Sequence, residues 1–188
     1  MKVNAFLLSF LTFLFTSIFL VGCSPDSLFD FIGGESSEKN EISSPVPDKE
    51  ISDTATFVRA KDGDTYVIRL DSNGQEITVR LIGVDTPESV APRDYYKENT
   101  EEGKEISDIV KDKIKEGDRL SVEYDVQTED KYGRTLAYLY FEDGKMVQEW
   151  LLENGFAQVM TIQPNSKYAN HFAEIQHTAA ENGIGLWG

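Results

Sequence analysis

Hydrophobic and polar side chains alternate along short stretches between residues 54 and 162, as they do in strands covered on one face. Turn-forming sequences separate the first stretches, and Gly63 and Gly74 are the glycines of these turns, with Gly63 expected to adopt a positive φ. The alternation predicts five strands and a later extended segment, in chain order Thr54–Ala60, Thr65–Leu70, Gln75–Ile82, Leu120–Val126, Thr135–Phe141 and Phe156–Ile162.

Apolar residues at helical spacing predict three helices. Ile106, Ile109, Val110 and Ile114 follow one another at such intervals, and Gly117 is expected to end that helix. The predicted helices are Glu101–Glu116, Val147–Glu153 and Tyr168–Asn182. Five strands with a helix after the third favour an α+β, mainly β fold, a five-stranded OB-type Greek-key barrel with about three helices.

The N-terminal segment has a different character from the rest of the chain. An apolar run from Ala5 to Val21 is long enough for a membrane-spanning helix to be considered. The sequence Leu20-Val21-Gly22-Cys23 that ends it resembles the bacterial lipobox. That resemblance implies a signal peptide, residues 1–22, cut before a lipidated Cys23, and a protein held on the extracellular face of the cell membrane. A free or intermolecularly paired thiol is the alternative, since Cys23 is the only cysteine.

Residues 24–52 are rich in Ser, Glu, Asp, Pro and Gly and show no sustained periodicity. Such a composition buries too little apolar surface to offset chain entropy, so a flexible tether is predicted, followed by a globular domain at residues 53–188. The formal net charge is −15. Any binding of nucleic acid therefore needs a local cationic site or a bound divalent cation.

The stretch from Arg80 to Glu88 concentrates charge at the end of a predicted strand. It holds one guanidinium and two carboxylates in apolar surroundings, and Pro87 ends the strand pattern. For Arg80 and Asp85 to serve one site, the chain must bend, and Gly83 is the expected place. The alternative is an edge strand that runs into a polar turn with each charge solvated.

Three short motifs occur on this strand pattern: Asp62-Gly63-Asp64-Thr65, Arg80 with Asp85-Thr86-Pro87-Glu88, and Asp130-Lys131-Tyr132-Gly133-Arg134. Their order and spacing closely resemble the staphylococcal nuclease (thermonuclease) family, and the resemblance runs from Thr54 to Trp187. It implies a Ca²⁺ site made by Asp64, Asp85 and the Thr86 carbonyl. Two carboxylates with positions left for water and phosphate suit calcium. Asp64 alone equally fits a turn-forming aspartate.

The resemblance also implies that Arg80 and Arg134 hold the scissile phosphodiester, that Glu88 is the general base, and that Lys131 and Tyr132 contact substrate. Planar guanidinium donors stabilise the charge that develops on phosphoryl oxygens. The alternative for each arginine is a surface ion pair. The family reaction breaks the bond between phosphorus and the 5′ oxygen of DNA or RNA and leaves 3′-phosphate ends.

The chain departs from the family pattern in the loop that starts at Pro92, which is more acidic, and at two family tyrosines, where Thr161 and Gln163 stand. Loss of base stacking there predicts weaker nucleotide binding. The function predicted is a calcium-dependent, monomeric extracellular nuclease. A non-catalytic OB-fold lipoprotein that binds nucleic acid is the alternative, and an acidic surface domain is a third. The presence of both arginines, both aspartates and the glutamate favours the first.

Overall fold

The structure, a computed structural model, describes residues 45–87 and 101–188. Within these ranges the chain forms strands, three α-helices and a short 3-10 helix at Gly185–Trp187. The strands are β1 (Asp53–Asp62), β2 (Thr65–Leu70), β3 (Glu76–Leu81), β4 (Gly83–Asp85), β5 (Arg119–Glu123), β6 (Thr135–Phe141) and β7 (Gln158–Met160). The helices are α1 (Glu101–Lys113), α2 (Val147–Glu153) and α3 (Ala169–Glu181).

Five of the strands close into a barrel in the order β1-β2-β3-β6-β5. Neighbouring strands are antiparallel except β3 and β6, which are parallel. β5 closes the barrel on β1. This confirms the predicted OB-type α+β fold. The remaining strands, β4 and β7, pair antiparallel as a small second sheet.

The bend predicted at Gly83 is present. β3 ends at Leu81, β4 begins at Gly83, and Gly83 has a φ of 83°, which a side chain rarely adopts. A methyl group on Gly83 would also lie 2.7 Å from the ring of Phe172 in α3. Glycine is therefore required at the bend for two reasons. The bend turns Asp85 back towards Arg80.

The helices pack as their apolar faces predict. Ile106, Val110 and Ile114 are buried, and α1 packs against β1. Helix α2 is tied to the barrel by the fully buried Gln148, whose amide accepts from the Leu139 backbone N–H and donates to carbonyls. Among the described residues, none of the helices has the length and apolarity needed to cross a membrane.

Two local expectations need revision. Gly63 does not have a positive φ, and the reason for glycine there is the close approach of Thr86, described below. The last residues of the predicted tether also contact the barrel. The Lys49 ammonium donates to the Gly144 carbonyl (3.3 Å) and lies 3.9 Å from the centre of the Tyr140 ring. The Ser52 backbone N–H donates to the Val122 carbonyl.

Candidate active site

The predicted metal ligands Asp64 and Asp85 come together around one nitrogen of Arg80. Arg80 Nη2 lies 3.2 Å from Asp64 Oδ2 and 2.9 Å from Asp85 Oδ1. Asp64 lies in the turn between β1 and β2, whereas Asp85 ends β4. Asp64 and Arg80 are buried, and Asp85 is partly exposed. Two carboxylates from separate segments thus converge on a single positive group.

The second terminal nitrogen of Arg80 supports the bend. Arg80 Nη1 donates to the carbonyls of Leu81 and Val84, each at 2.7 Å, which lie on either side of Gly83. Arg80 therefore uses both terminal nitrogens inside the protein. It forms the ion pair that the alternative interpretation allowed, but in a buried position rather than on the surface.

Thr86 is held against Asp64. Its backbone N–H and its hydroxyl donate to Asp64 Oδ2 at 3.0 and 3.3 Å, and Thr86 is only 2% exposed. The Thr65 hydroxyl donates to the other carboxylate oxygen of Asp64 at 2.9 Å. These donors and Arg80 together orient both oxygens of Asp64.

Arg134 is held by a different device, a tight loop that follows Asp130. Asp130 Oδ1 accepts from the backbone N–H groups of Tyr132 and Arg134, both at 2.9 Å, and Oδ2 accepts from Arg134 Nε at 2.7 Å. Desolvation opposes ionisation of Asp130, but the bonds from Arg134 and Tyr132 outweigh it and lower the pKa of the carboxyl. Among the described residues the terminal nitrogens of Arg134 make no hydrogen bond.

Lys131 and Tyr132 lie in the same loop. The Tyr132 ring is 65% exposed, and both cationic groups lie near it, the Lys131 ammonium at 4.9 Å and the Arg134 guanidinium at 5.6 Å from its centre. An exposed aromatic ring flanked by cations can stack on a base while the charges contact phosphate.

These groups face one cavity of about 590 Å³. Arg80, Lys131 and Arg134 line it with their positive charges, together with four aspartates, Asp62, Asp64, Asp85 and Asp130. Counting only the residues that the structure describes, the cavity lining therefore has one more carboxylate than cationic groups. A phosphodiester entering it would meet a slight excess of negative charge unless a cation joined the site.

The cavity lining includes one of the two positions where the family has tyrosines. Among the described residues, Met160, Ile162 and Gln163 line the cavity, Thr161 does not, and Ile162 is 64% exposed.

Two predicted residues, Glu88 and Cys23, lie outside the described residues, as does the acidic loop at 92–100.

The sequence motifs assigned no role to two residues that support the site, Asp130 and Tyr66. Asp130 belongs to the third motif. It binds groups of the residues two and four positions further along the chain, and an aspartate with this spacing is a recognisable turn signal. Nothing in the sequence pattern distinguishes Tyr66 from other core aromatic residues. Burial, and next the charges of Asp64 and Asp62, raise the pKa of the Tyr66 hydroxyl well above its usual value.

The chain is similar to known nucleases over most of its globular part. The family model for staphylococcal nuclease homologues matches residues 78–188, a range that begins in β3 and does not include Asp64. Thermonuclease of Staphylococcus hyicus is 37% identical over 135 residues, which are 71% of this chain and 75% of that protein. Thermonuclease of Staphylococcus intermedius is 39% identical over 129 residues, 69% of this chain and 73% of that protein.

A similarity of the same size extends to a bacillus. Endonuclease YncB of Bacillus subtilis (strain 168) is 40% identical over 134 residues, which are 70% of this chain and 60% of that protein. The family match covers more than half of the chain, and it includes Arg80, Asp85 and Arg134. The chain belongs to the staphylococcal nuclease family.

Proposed function

We propose that this protein is a calcium-dependent nuclease that hydrolyses phosphodiester bonds of DNA and RNA. The thermonuclease and endonuclease relatives support nuclease function. The observation that carries the proposal is the convergence of Asp64 and Asp85 on one cationic nitrogen in a cavity that also holds Arg134.

Calcium is the cation that fits the donor set. In residues 45–87 and 101–188 no cluster of three or more His, Cys, Asp or Glu side chains is placed to hold a metal ion. Asp64, Asp85 and the Thr86 carbonyl offer oxygen donors only, and a set this small leaves positions for water and a phosphate oxygen, which suits a hard cation. When bound, calcium would polarise the phosphoryl group and raise the acidity of a coordinated water.

The chain's own residues have distinct tasks in this reaction. Arg134, with its terminal nitrogens directed to no acceptor among the described residues, donates to the phosphoryl oxygens as their charge increases. Lys131 and Tyr132 bind the neighbouring phosphate and base. Arg80 keeps the two aspartates in register and holds the bend that presents Asp85.

Glu88 accepts a proton from the attacking water, the general-base role that family membership suggests. The water oxygen forms a bond to phosphorus as the bond from phosphorus to the 5′ oxygen breaks, and the departing 5′ oxygen takes a proton from solvent. The products are a 3′-phosphate and a 5′-hydroxyl. Glu88 follows Pro87 directly in the sequence, three residues after Asp85.

The N-terminal segment supports a location for this activity. A signal peptide at residues 1–22, a lipidated Cys23 and a tether up to the barrel would hold the domain, as a monomer, on the extracellular face of the cell membrane. The unmodified protein expressed in bacteria should incorporate a labelled fatty acid, and a Cys23→Ser variant should not. Equal labelling of the two proteins, or no labelling of either, would contradict lipid anchoring at this residue.

The test of the activity uses purified protein without residues 1–23, incubated with plasmid DNA or with RNA in CaCl₂ or in EGTA. Cleavage is expected only in calcium. The product ends should support primer extension only after phosphatase treatment, because a 3′-phosphate blocks the polymerase. Intact substrate in calcium, with the domain shown to be folded, would favour the alternative of a binding module that does not cleave.

An Arg134→Gly variant purified in the same way is the matched control for contaminating nucleases. Its residual activity sets the background for every other measurement. Equal cleavage by this variant and the unmodified domain would mean that the observed activity is not catalysed at this site.

A further inference from the structure

The turn that carries Asp64 is held from behind by a buried tyrosine. Asp62 and Thr65 are paired across β1 and β2, so the turn consists of Gly63 and Asp64 alone. The Tyr66 hydroxyl donates to the Gly63 carbonyl at 2.7 Å. Tyr66 is fully buried and its ring contacts Phe57 edge-on at 5.8 Å, so the hydroxyl has a rigid support.

Gly63 in turn lies directly against Thr86. A methyl group on Gly63 would stand 2.7 Å from Thr86 Oγ1 and 3.0 Å from Thr86 Cβ, distances too short for unstrained contact. Because the φ of Gly63 lies outside the left-handed region, backbone conformation does not require glycine here. The requirement is the close approach of the turn to Thr86.

The β1–β2 turn and the chain that follows β4 also meet at Asp64. Thr86 donates to Asp64 Oδ2 through its backbone N–H and its hydroxyl. Tyr66, Gly63, Thr86 and Asp64 therefore form a closed series of contacts between the β1–β2 turn and the chain that follows β4. A shift of the turn away from Tyr66 would change the separation of Asp64 from Thr86.

We propose that Tyr66 is a positioning residue for the cation site, acting through Gly63 to set the spacing between Asp64 and Thr86. The inference rests on the proposed function, in which Asp64 and the Thr86 carbonyl bind calcium. Tyr66 itself does not touch the cation or the substrate. Its hydroxyl fixes the turn, and the turn fixes two of the three ligands.

The test is Tyr66→Phe, which keeps the ring and removes only the hydroxyl. Calcium affinity is measured by isothermal titration calorimetry without nucleic acid, so the readout does not depend on activity. We expect the Kd for calcium to rise about fivefold to tenfold, the effect of losing one buried hydrogen bond. The matched control is Tyr138→Phe, which removes a hydroxyl that donates to Asp125 Oδ2 at 2.9 Å. The control should lose thermal stability without a change in calcium affinity.

A double-mutant cycle with Gly63→Ala separates positioning from simple destabilisation. If Tyr66 acts through the contact of Gly63 with Thr86, the two changes in calcium affinity will not add. Additive effects, or an unchanged Kd in Tyr66→Phe, would overturn the inference and leave the proposed function standing. Absence of calcium binding in the unmodified domain would instead contradict the proposed function.

Discussion

The two arginines that the motif predicts for phosphate binding are held in different ways. Arg80 is buried at the end of β3, and its terminal nitrogens contact two carbonyls and two carboxylates. Arg134 has a side chain that is 34% exposed, lies in a loop, and is fixed by the single carboxylate of Asp130 at Nε. Both guanidiniums line the cavity, but the terminal nitrogens of Arg80 are paired within the protein, whereas those of Arg134 make no hydrogen bond among the described residues.

The difference separates two tasks that a motif cannot distinguish. A buried guanidinium with its terminal donors paired contributes to stability and to the placement of its partners, because its removal leaves charges uncompensated. A guanidinium fixed only at Nε has terminal donors available, in the proposed reaction, for charge that develops on the phosphoryl group. Arg80 and Arg134 are thus equivalent in residue type but not in expected mutant behaviour.

The largest effect is expected for Arg80→Ala. It removes the partner of the buried Asp64 and both bonds that hold the bend at Gly83. Loss of one partner from a buried ion pair costs about 3–5 kcal/mol, so unfolding in urea should show a large loss of stability together with loss of nuclease activity. A surface substitution changes the free energy of unfolding by no more than about 1 kcal/mol. A loss of that size or smaller in Arg80→Ala would contradict the framework role of Arg80.

Arg134→Gly should give the opposite pattern. The loss of one transition-state donor lowers kcat by about 10²–10³, while the melting temperature changes little because the side chain is partly exposed and lies outside the barrel core. Steady-state kinetics on an oligonucleotide and a thermal melt measure the two quantities. Comparison with Arg134→Lys tests whether the planar guanidinium is needed as well as the charge. A near-normal kcat in Arg134→Gly would remove this residue from the reaction.

A third, smaller effect concerns Ile162, which lines the same cavity as Arg134. Ile162 lines the cavity with an exposed aliphatic side chain, where an aromatic ring would stack on a base. Stacking is worth about 1–3 kcal/mol, so Ile162→Tyr should lower KM for a short oligonucleotide about tenfold with little change in kcat. Thr161→Tyr is the matched control, because Thr161 does not line the cavity. An equal gain in both variants would contradict the assignment of Ile162 to the cavity lining.

The smallest effect is expected for Asp130→Asn, which weakens the bond that orients Arg134. The pKa of Asp130 lies below its ordinary value of 3.8 in the folded protein. Its ionised form therefore adds stability above about pH 4, and this contribution disappears as the pH falls through the folded-state pKa. The melting temperature of the unmodified domain should exceed that of Asp130→Asn by a few degrees at pH 7, and the difference should shrink as the pH is lowered below 3.8. A constant difference across this range would show that the charge is not responsible.

Local patterns predicted the strands and helices well. The alternation typical of a strand and the spacing typical of a helix are both visible among residues that are neighbours in the sequence. β2, β6 and α2 have the predicted bounds, and the bend at Gly83 follows from the spacing of Arg80 and Asp85. The predictions that missed depended on contacts between distant segments. The need for glycine at position 63 comes from the close approach of Thr86, which lies 23 residues further along the chain.

The sequence by itself determined the barrel, the family and the residue types of the site, since periodicity, turn residues and motif spacing are properties of the chain alone. Only the tertiary structure decided how those residues divide their tasks. Burial and hydrogen-bond partners come from segments far apart in the chain. For that reason Arg80 is paired with Asp64, Arg134 is bound to Asp130 only through Nε among the described residues, and Tyr66 donates to the turn that carries Asp64.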